Sequence, residues 1–424
     1  MPNVSRGQFG RRRKWGCVRI LLSAVLLFLT ACFVALLVFQ NRLRQQEARL
    51  QMQGLPTSGA QLKAPQIPEA DNGAMIYLAA ASELPAPARK KDSETTLLDP
   101  CPEAGEAPEY GVSEAELQQL RDTVASQAAA LARALEAQAK EVAYFGTANA
   151  DPKKAIDTIE QVRALSRAMC DKALLAAIEG NKEEAYRWTI ANLRLANDLR
   201  DGGTLTQFMG RVAVARTGLQ ALRQTLLRVG GPGEQGAALS NELHQLYDRE
   251  ALAETLRGEL AYGLDAMRSQ GINSYFLPMF RYDYTESLTA LIDAAAESDD
   301  ALRAAALAEL SESSNSYMPW KIYSRLLVPA IERTIEQMDD LREEVAGAEL
   351  SVAIAQHHDA HGAYPASLEE VSFSEEAATL LPGFHYELEG EGWRMREEKK
   401  TGMGSDLHTL RSHRQPEPSE WCQP

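Results

Sequence analysis

The longest apolar stretch of the chain extends from Ile20 to Phe39, and these twenty residues contain no charged side chain. An α-helix rises about 1.5 Å per residue, so the stretch would cover roughly 30 Å, the thickness of a membrane hydrocarbon core. No later window stays apolar over a comparable length. The pattern therefore predicts one transmembrane helix at residues 20–39.

Beyond residue 111 the apolar residues recur at intervals of three and four, as at Leu117, Leu120 and Val124. This spacing is typical of amphipathic helices. Ser113 and Glu116 precede it in the arrangement of a capping box, which marks a helix start. Breaks rich in Gly or Pro separate further periodic segments, and the predicted helices are about 113–145, 152–180, 181–199, 204–229, 236–269, 285–313 and 320–360. Pro329 should kink or split the last of these.

The whole chain is predicted to be mainly α, with a transmembrane helix, a multi-helix extracytoplasmic bundle and a small C-terminal β-hairpin. The hairpin prediction rests on two short alternating segments, 384–389 and 392–395, which flank Gly390. The predicted organisation is a basic head (1–19), the transmembrane helix (20–39), a proline-rich connector (40–110) with a short helix at 71–82, the bundle (111–330), a long helix with a turn and the hairpin (331–395), and a disordered tail (396–424). Asp71 or Asn72 can cap the short helix, and Gly362 is the expected C-terminal stop of the long helix. We expect the connector to hold the bundle off the membrane.

Charge is distributed unevenly along the chain. Residues 1–50 hold nine Lys or Arg and one Glu, a net charge of +8, whereas the remainder holds 35 basic and 58 acidic residues, a net charge of −23. The denser basic cluster precedes the apolar stretch, so the positive-inside rule predicts a cytoplasmic N-terminus. We therefore expect a single-pass protein of the cytoplasmic (inner) membrane with a periplasmic C-terminal domain. An acidic domain repels phosphate backbones, so we expect no nucleic-acid partner.

Two alternatives to an uncleaved anchor exist. A cleaved signal peptide has a shorter apolar core and a small-residue cleavage site, neither of which is present here. Leu29, Thr30, Ala31 and Cys32 are similar to a bacterial lipobox, but the residues after Cys32 are apolar, whereas lipoproteins turn polar there. The uncleaved anchor is the favoured interpretation.

The five cysteines show no C-x-x-C spacing, so neither a zinc ribbon nor a thioredoxin-like site is indicated. In the predicted orientation Cys101, Cys170 and Cys422 face an oxidising compartment, where one disulfide can form. We predict Cys101 and Cys170 as the pair.

Two aromatic segments interrupt the helical pattern, one at 274–284 and a shorter one at 317–320. Both are predicted to be loops that are too apolar to be free in solvent. They either pack over the bundle as core or form a surface for a partner or the membrane. The candidate interaction residues are Tyr275, Phe276, Met279, Phe280, Tyr282, Tyr284, Tyr317 and Trp320.

The densest group of possible metal ligands is His357, His358 and His361. His357 and His361 are four residues apart and share a helix face, so both could reach one ion. However, H-E-x-x-H and E-x-x-H motifs are absent, and histidines in a last helical turn are favoured by the helix dipole alone. We therefore assign no catalytic residue, metal or cofactor, and keep a metal-dependent hydrolase as an alternative.

The segment AxxxHHDAHGAYPASLEEV, followed by YELEGEGWRM, resembles a module found at the C-terminus of bacterial envelope proteins. It is similar to the G-x-Y-P turn that ends the long helix of type II secretion pseudopilins, and the matching positions are Gly362, Tyr364, Pro365, Ser367 and Leu368. No prepilin signature precedes the apolar stretch. The resemblance implies a membrane-anchored helical protein of the envelope, and it carries over no catalytic residues. We expect a non-catalytic component that binds another envelope protein, with a pseudopilin-like secretion accessory as an alternative.

Overall fold

A computed structural model describes residues 9–62, 67–85, 112–146, 152–200, 203–248, 250–269, 277–297, 299–314, 318, 321–389, 392–397 and 410–412. Within these ranges the helices are α1 (Phe9–Met52), α2 (Gly73–Ser82), α3 (Glu114–Ser126), α4 (Ala128–Gln138), α5 (Pro152–Ile178), α6 (Lys182–Asp198), α7 (Leu205–Val229), α8 (Gly236–Gln245), α9 (Glu250–Ser269), α10 (Leu277–Ala296), α11 (Asp300–Ser314), α12 (Ile322–His361) and α13 (Glu375–Leu380). The strands are β1 (Phe384–Glu389), β2 (Gly392–Glu397) and β3 (Leu410–Ser412). The prediction of a mainly α fold with an N-terminal apolar helix is confirmed.

The chain divides into two compact units. Unit 1 comprises Met1–Leu62 and Leu260–Glu332, and therefore contains α1, the end of α9, α10, α11 and the start of α12. Unit 2 comprises Lys63–Glu259 and Arg333–Pro424.

The centre of unit 2 is the packing of α5, α6 and α7 against one another. A buried amide links these three helices, because Asn192 on α6 donates to the carbonyl oxygen of Ser166 at 2.7 Å and to Sγ of Cys170 at 3.0 Å, both on α5. The Cys170 thiol in turn donates to the carbonyl oxygen of Thr217 on α7 at 3.4 Å. Because a buried polar group is costly when unpaired, these bonds favour one helix register over others.

The short helix α2 packs on α4 and α5 of unit 2. The Asn72 side chain caps it by accepting from the amide of Ala74 at 3.1 Å. The same side chain accepts from the amide of Tyr144 at 2.8 Å and donates to that residue's carbonyl oxygen at 2.9 Å. The predicted cap is therefore also the residue that fixes the helix to the bundle.

The C-terminal part of unit 2 is a small sheet packed on the end of α12. The helix ends at His361, and Gly362 follows with φ +74°, a left-handed conformation that favours glycine. The strands are antiparallel in the order β1-β2-β3, and Phe384 pairs with Glu397 while Glu389 pairs with Gly392. Their shared core consists of Leu350, Ile354, Leu368, Trp393 and Met395. The predicted hairpin is thus present and has a third strand.

Several predicted boundaries are wrong. Residues 40–52 were expected in the connector, but they continue α1, because no proline occurs between residue 40 and Pro56 and because Leu43 and Leu50 are buried. The segment from Leu277 to residue 284, expected as a loop, begins α10, whose first turn accommodates a proline. Strand β3 lies in the tail that was expected to be disordered.

Three of the predicted helices are interrupted, and a fourth is continuous through a proline. The segments 113–145, 236–269 and 285–313 each contain a break, between α3 and α4, α8 and α9, and α10 and α11 respectively. The last break has a local cause, because the Asp299 carboxylate caps α11 by accepting from the amides of Ala301 and Leu302 at 2.8 and 3.0 Å. Helix α12 is not split at Pro329, because the helix continues through this residue, and a kink there stays a prediction.

Candidate membrane-proximal interaction site

In the described part of the chain, α1 is the one helix that is long and apolar enough to cross a membrane. Large side chains such as Leu27 and Phe28 are exposed to the surroundings, as expected for a helix that faces lipid. One face is covered by protein instead. Leu36 and Phe39 are half-buried, and Leu43 and Leu50 are buried. These positions share a helix face, so a single stripe of α1 continues from the apolar stretch into the following helical segment.

We call residues 40–52 the stem. It contacts α10 through the Glu47–Arg281 ion pair, and the burial of Leu43 and Leu50 contributes roughly 1.5–3 kcal/mol per side chain to the stability of unit 1. Unit 1 therefore includes α1, and the expectation that the proline-rich connector begins directly after the apolar stretch is corrected.

A group of ion pairs connects the stem to α9 and α10. We call its four charged residues the exit clamp: Glu47 on the stem, Asp265 and Arg268 on α9, and Arg281 on α10. The Glu47 carboxylate on α1 pairs with Arg281 on α10 at 2.5 Å and with Arg268 on α9 at 3.8 Å. Arg268 also pairs with Asp265 at 2.9 Å. Burial lowers the pKa of the Arg281 guanidinium from its ordinary value, and Glu47 opposes that shift.

The exit clamp also holds the chain that leaves the stem. Arg268 donates to the carbonyl oxygen of Thr57 at 2.7 Å, and the Asp265 carboxylate accepts from the amide of Gly59 at 2.7 Å. Ion pairs that retain solvent contact contribute about 0.2–1 kcal/mol each, which is less than the buried leucines contribute. The exit clamp therefore affects the direction in which α1 leaves unit 1 more than it affects the stability of unit 1.

A buried carboxylate joins α10 to α12. Asp283 is only 2% exposed, and it accepts from the amide of Ser324 at 3.0 Å and from the hydroxyl of the same residue. Ser287 on α10 donates to that hydroxyl at 3.1 Å. The amides of a first helical turn lack intrahelical partners, so Asp283 acts as a cap supplied by a different helix.

Five rings from α1, α10 and α12 make edge-on contacts in two groups, one of Phe39 and Tyr282 and the other of Phe280, Tyr284 and Tyr323. The Phe39 ring meets Tyr282 edge-on at 5.9 Å, and Tyr323 lies 6.2 Å from Phe280 and 5.7 Å from Tyr284. The Tyr282 hydroxyl donates to Glu286 at 2.9 Å. Burial raises the pKa of Tyr282, the bond to Glu286 raises it further, and nearby arginines oppose the shift.

The eight candidate interaction residues have different positions. Met279 and Tyr284 are buried, whereas Phe280 and Tyr282 are half-buried. The other four lie outside the described residues: Tyr275, Phe276, Tyr317 and Trp320. The part of the aromatic segment that is described therefore packs within unit 1, and its role in partner binding stays a prediction.

The histidine candidates at the end of α12 contact neighbouring groups individually. Nδ1 of His357 lies 3.1 Å from the carbonyl oxygen of Ala363, and Nδ1 of His361 lies 2.9 Å from that of His357. The rings of His357 and His361 stack at 4.2 Å, and His358 stacks on Tyr364 at 4.3 Å. Among the residues that the structure describes, no group of three His, Cys, Asp or Glu side chains is arranged to hold a metal ion.

The predicted disulfide cannot be placed in full, because Cys101 lies outside the described residues. Cys170 is a completely buried free thiol in the α5–α6–α7 core, and burial raises its pKa. Two further buried titratable groups, the hydroxyls of Tyr77 and Tyr247, make structural contacts. Tyr77 donates to Asp198 at 3.0 Å, and Tyr247 donates to Glu349 at 3.2 Å.

No family model, no curated protein and no solved structure matches the chain.

The exit clamp and the role of Asp283 were not predicted from the sequence. Two signals for them are present in the sequence. Glu47 is the one acid among the arginines that follow the apolar stretch, and Asp283 is a single acid between Tyr282 and Tyr284. A charge at such a position indicates a specific partner, because burying it without one is costly.

Proposed function

We propose that the protein is a single-pass component of a bacterial cytoplasmic membrane, with its N-terminus in the cytoplasm and its helical part in the periplasm. In this proposal it acts without a cofactor, by binding another envelope protein. The apolar stretch of α1 supports the membrane span, and the basic residues before residue 20 support the orientation.

The orientation is tested by fusing alkaline phosphatase or green fluorescent protein to the C-terminus of the full chain. We expect an active phosphatase and a non-fluorescent green fluorescent protein, since the first folds in the periplasm and the second does not when exported through the general pathway. Replacing Arg11, Arg12, Arg13 and Lys14 by Asn should weaken that preference. The opposite pattern for the wild-type fusions would contradict a periplasmic domain.

The observation that carries the binding proposal is the edge position of β1. In the described sheet β1 pairs with β2 on one side only, and its six residues form an edge strand. An edge strand has backbone donors and acceptors available for an added strand from another protein. Leu388 on this strand is 51% exposed. We propose that an extended segment of the partner pairs with β1.

Leu388 provides a test that separates backbone pairing from side-chain contact. Only two residues separate Glu389 from Gly392, so these two form the hydrogen-bonded pair that closes the hairpin, and the amide of Leu388 points away from β2. Leu388→Pro removes this outer donor without removing a bond to β2. When this variant is cross-linked in membranes and then purified, we expect the partner protein that co-purifies with the wild type to be absent.

Leu388→Ala is the matched control, because it keeps the amide and removes most of the side chain. We expect this variant to keep the partner. Retention by both variants would show that β1 is not the binding edge, and loss by both would assign binding to the exposed side chain. Hydrogen exchange of the peptide that contains β2 checks in both proteins that the hairpin still folds.

The resemblance to pseudopilins supports a more specific proposal. The 40-residue helix α12 ends at Gly362, and the turn through Tyr364 and Pro365 leads into a small sheet. Tyr386 donates to the carbonyl oxygen of Pro365 at 2.8 Å, which holds the turn against the sheet. This order of elements is the one that the resemblance implies. If the partner lost in Leu388→Pro belongs to secretion machinery, the protein is a secretion accessory.

A further inference from the structure

The first turns of α12 present apolar side chains away from unit 1. Ile322, Leu326 and Pro329 are spaced at i, i+4 and i+7, so they share one helix face. Leu326 is 65% exposed, and Ile322 and Pro329 are exposed as well. Met318, four residues before Ile322, is also exposed. We call Met318, Ile322, Leu326 and Pro329 the apolar face.

The contacts within unit 1 fix the depth of the apolar face relative to the membrane helix. Tyr282 touches Phe39, the last residue of the apolar stretch, at a ring distance of 5.9 Å. The next residue, Asp283, accepts from the amide of Ser324 at 3.0 Å, which places the first turn of α12 against α10 within one residue of Tyr282. The polar layer on each side of a hydrocarbon core is roughly 5–7 Å thick. The start of α12 therefore lies at the level of that layer.

The composition around the apolar face is that of a surface at a membrane boundary. Tyrosine rings with one polar atom, such as Tyr282 and Tyr323, are favoured at this depth. Arg325 is exposed beside Leu326, Lys321 precedes Ile322, and Arg42 is exposed three residues after Phe39. Apolar side chains flanked by basic ones match lipid tails next to anionic headgroups. Glu286 is an exposed acid in this region, and it accepts from Tyr282.

We propose that the apolar face lies in the headgroup layer of the membrane that α1 crosses, so that unit 1 contacts lipid in two places. The occupant of this surface is the lipid itself rather than another protein. The contact fixes the orientation of unit 1 on the membrane, in addition to the covalent attachment through α1. It goes beyond the proposed function, because it holds whether or not β1 binds a partner.

The test uses the full chain reconstituted in vesicles that contain phosphatidylcholine and phosphatidylglycerol. Leu326 is replaced by the photo-crosslinking amino acid p-benzoylphenylalanine, which reacts with C–H bonds in contact with it. After irradiation, mass spectrometry distinguishes an adduct of lipid mass from an adduct with protein. We expect a lipid adduct at position 326.

Leu302 is the matched control position, because it is a leucine on a first helical turn with a similar exposure of 59%. It follows the far end of α10, and Ala296 lies about 21 Å along that helix from Tyr282. We expect no lipid adduct above background there. Absence of lipid adduct at 326, a protein adduct at 326, or equal lipid adducts at both positions would each overturn the proposal. A protein adduct would identify a second copy or a partner as the occupant.

Discussion

Replacing Gly258 by alanine is expected to lower the free energy of local unfolding around α9 by about 2–3 kcal/mol, because the new methyl group has no space. A Cβ atom on Gly258 would lie 2.0 Å from the carbonyl oxygen of Gly203 and 2.8 Å from its carbonyl carbon. Those are backbone atoms that cannot rotate away. The same segment is held nearby, since the Glu259 carboxylate accepts from the amide of Leu205 at 3.1 Å. Native-state hydrogen exchange of the full chain in detergent measures the effect on peptides from α7 and α9.

Gly347→Ala is the matched control for this substitution. Gly347 also lies inside a helix, but its Cβ would meet the Phe384 ring at 3.3 Å, and a ring edge can move by a few tenths of an ångström. Alanine is also better than glycine in a helix interior by about 1 kcal/mol. We expect little change or a small gain in protection of α12. Equal losses for the two variants would contradict the backbone clash at Gly258.

The elements that the sequence predicted correctly are those whose signals are local. Ser113 and Glu116 form the predicted capping box, with the amide of Ser113 donating to the Glu116 carboxylate at 2.9 Å. Asn72 caps α2, and Gly362 ends α12 in a left-handed conformation. Each of these features depends on residues within four positions of one another, so a single sequence contains the full information.

The features that could not be predicted depend on contacts between distant segments. The stem continues as a helix because α10 packs on it, more than two hundred residues later in the chain, as the Glu47–Arg281 pair illustrates. The aromatic residues of α10 gave a loop prediction, because rings and a proline suggest irregular chain when their packing partners are unknown. Asp283 appeared to be one more acid in an acidic protein, and only the position of Ser324 reveals its role.

The contacts of unit 1 have a consequence for how the protein could act. A flexible segment after α1 would let unit 1 rotate freely relative to that helix. The exit clamp and the buried leucines of the stem instead fix the direction in which α1 leaves unit 1. Helix α1 is therefore a structural part of unit 1, and shortening the stem would remove buried residues such as Leu43 and Leu50.

Replacing Asp283 by alanine is expected to lower the free energy of local unfolding in unit 1 by about 2–4 kcal/mol. The change leaves the buried amide and hydroxyl of Ser324 without this acceptor, and Ser287 retains only its bond to that hydroxyl. A small cavity adds to the loss. Hydrogen exchange should show reduced protection in α10 and at the start of α12, while peptides from α5, α6 and α7 serve as an internal reference.

Asp283→Asn separates the loss of the acceptor from the loss of the charge. Its amide oxygen can still accept from the Ser324 backbone, but its NH₂ group offers a donor where the carboxylate accepted from the hydroxyl. We expect a loss about half as large as that of Asp283→Ala, because one of two accepted bonds persists. In a Ser324→Ala background, Asp283→Asn should cost little, because the hydroxyl that its amide fails to accept from is absent, whereas Asp283→Ala should still lose the bond to the backbone amide. Fully additive effects of Asp283→Ala and Ser324→Ala would contradict the bond between the carboxylate and the hydroxyl, because the two residues would then stabilise unit 1 independently.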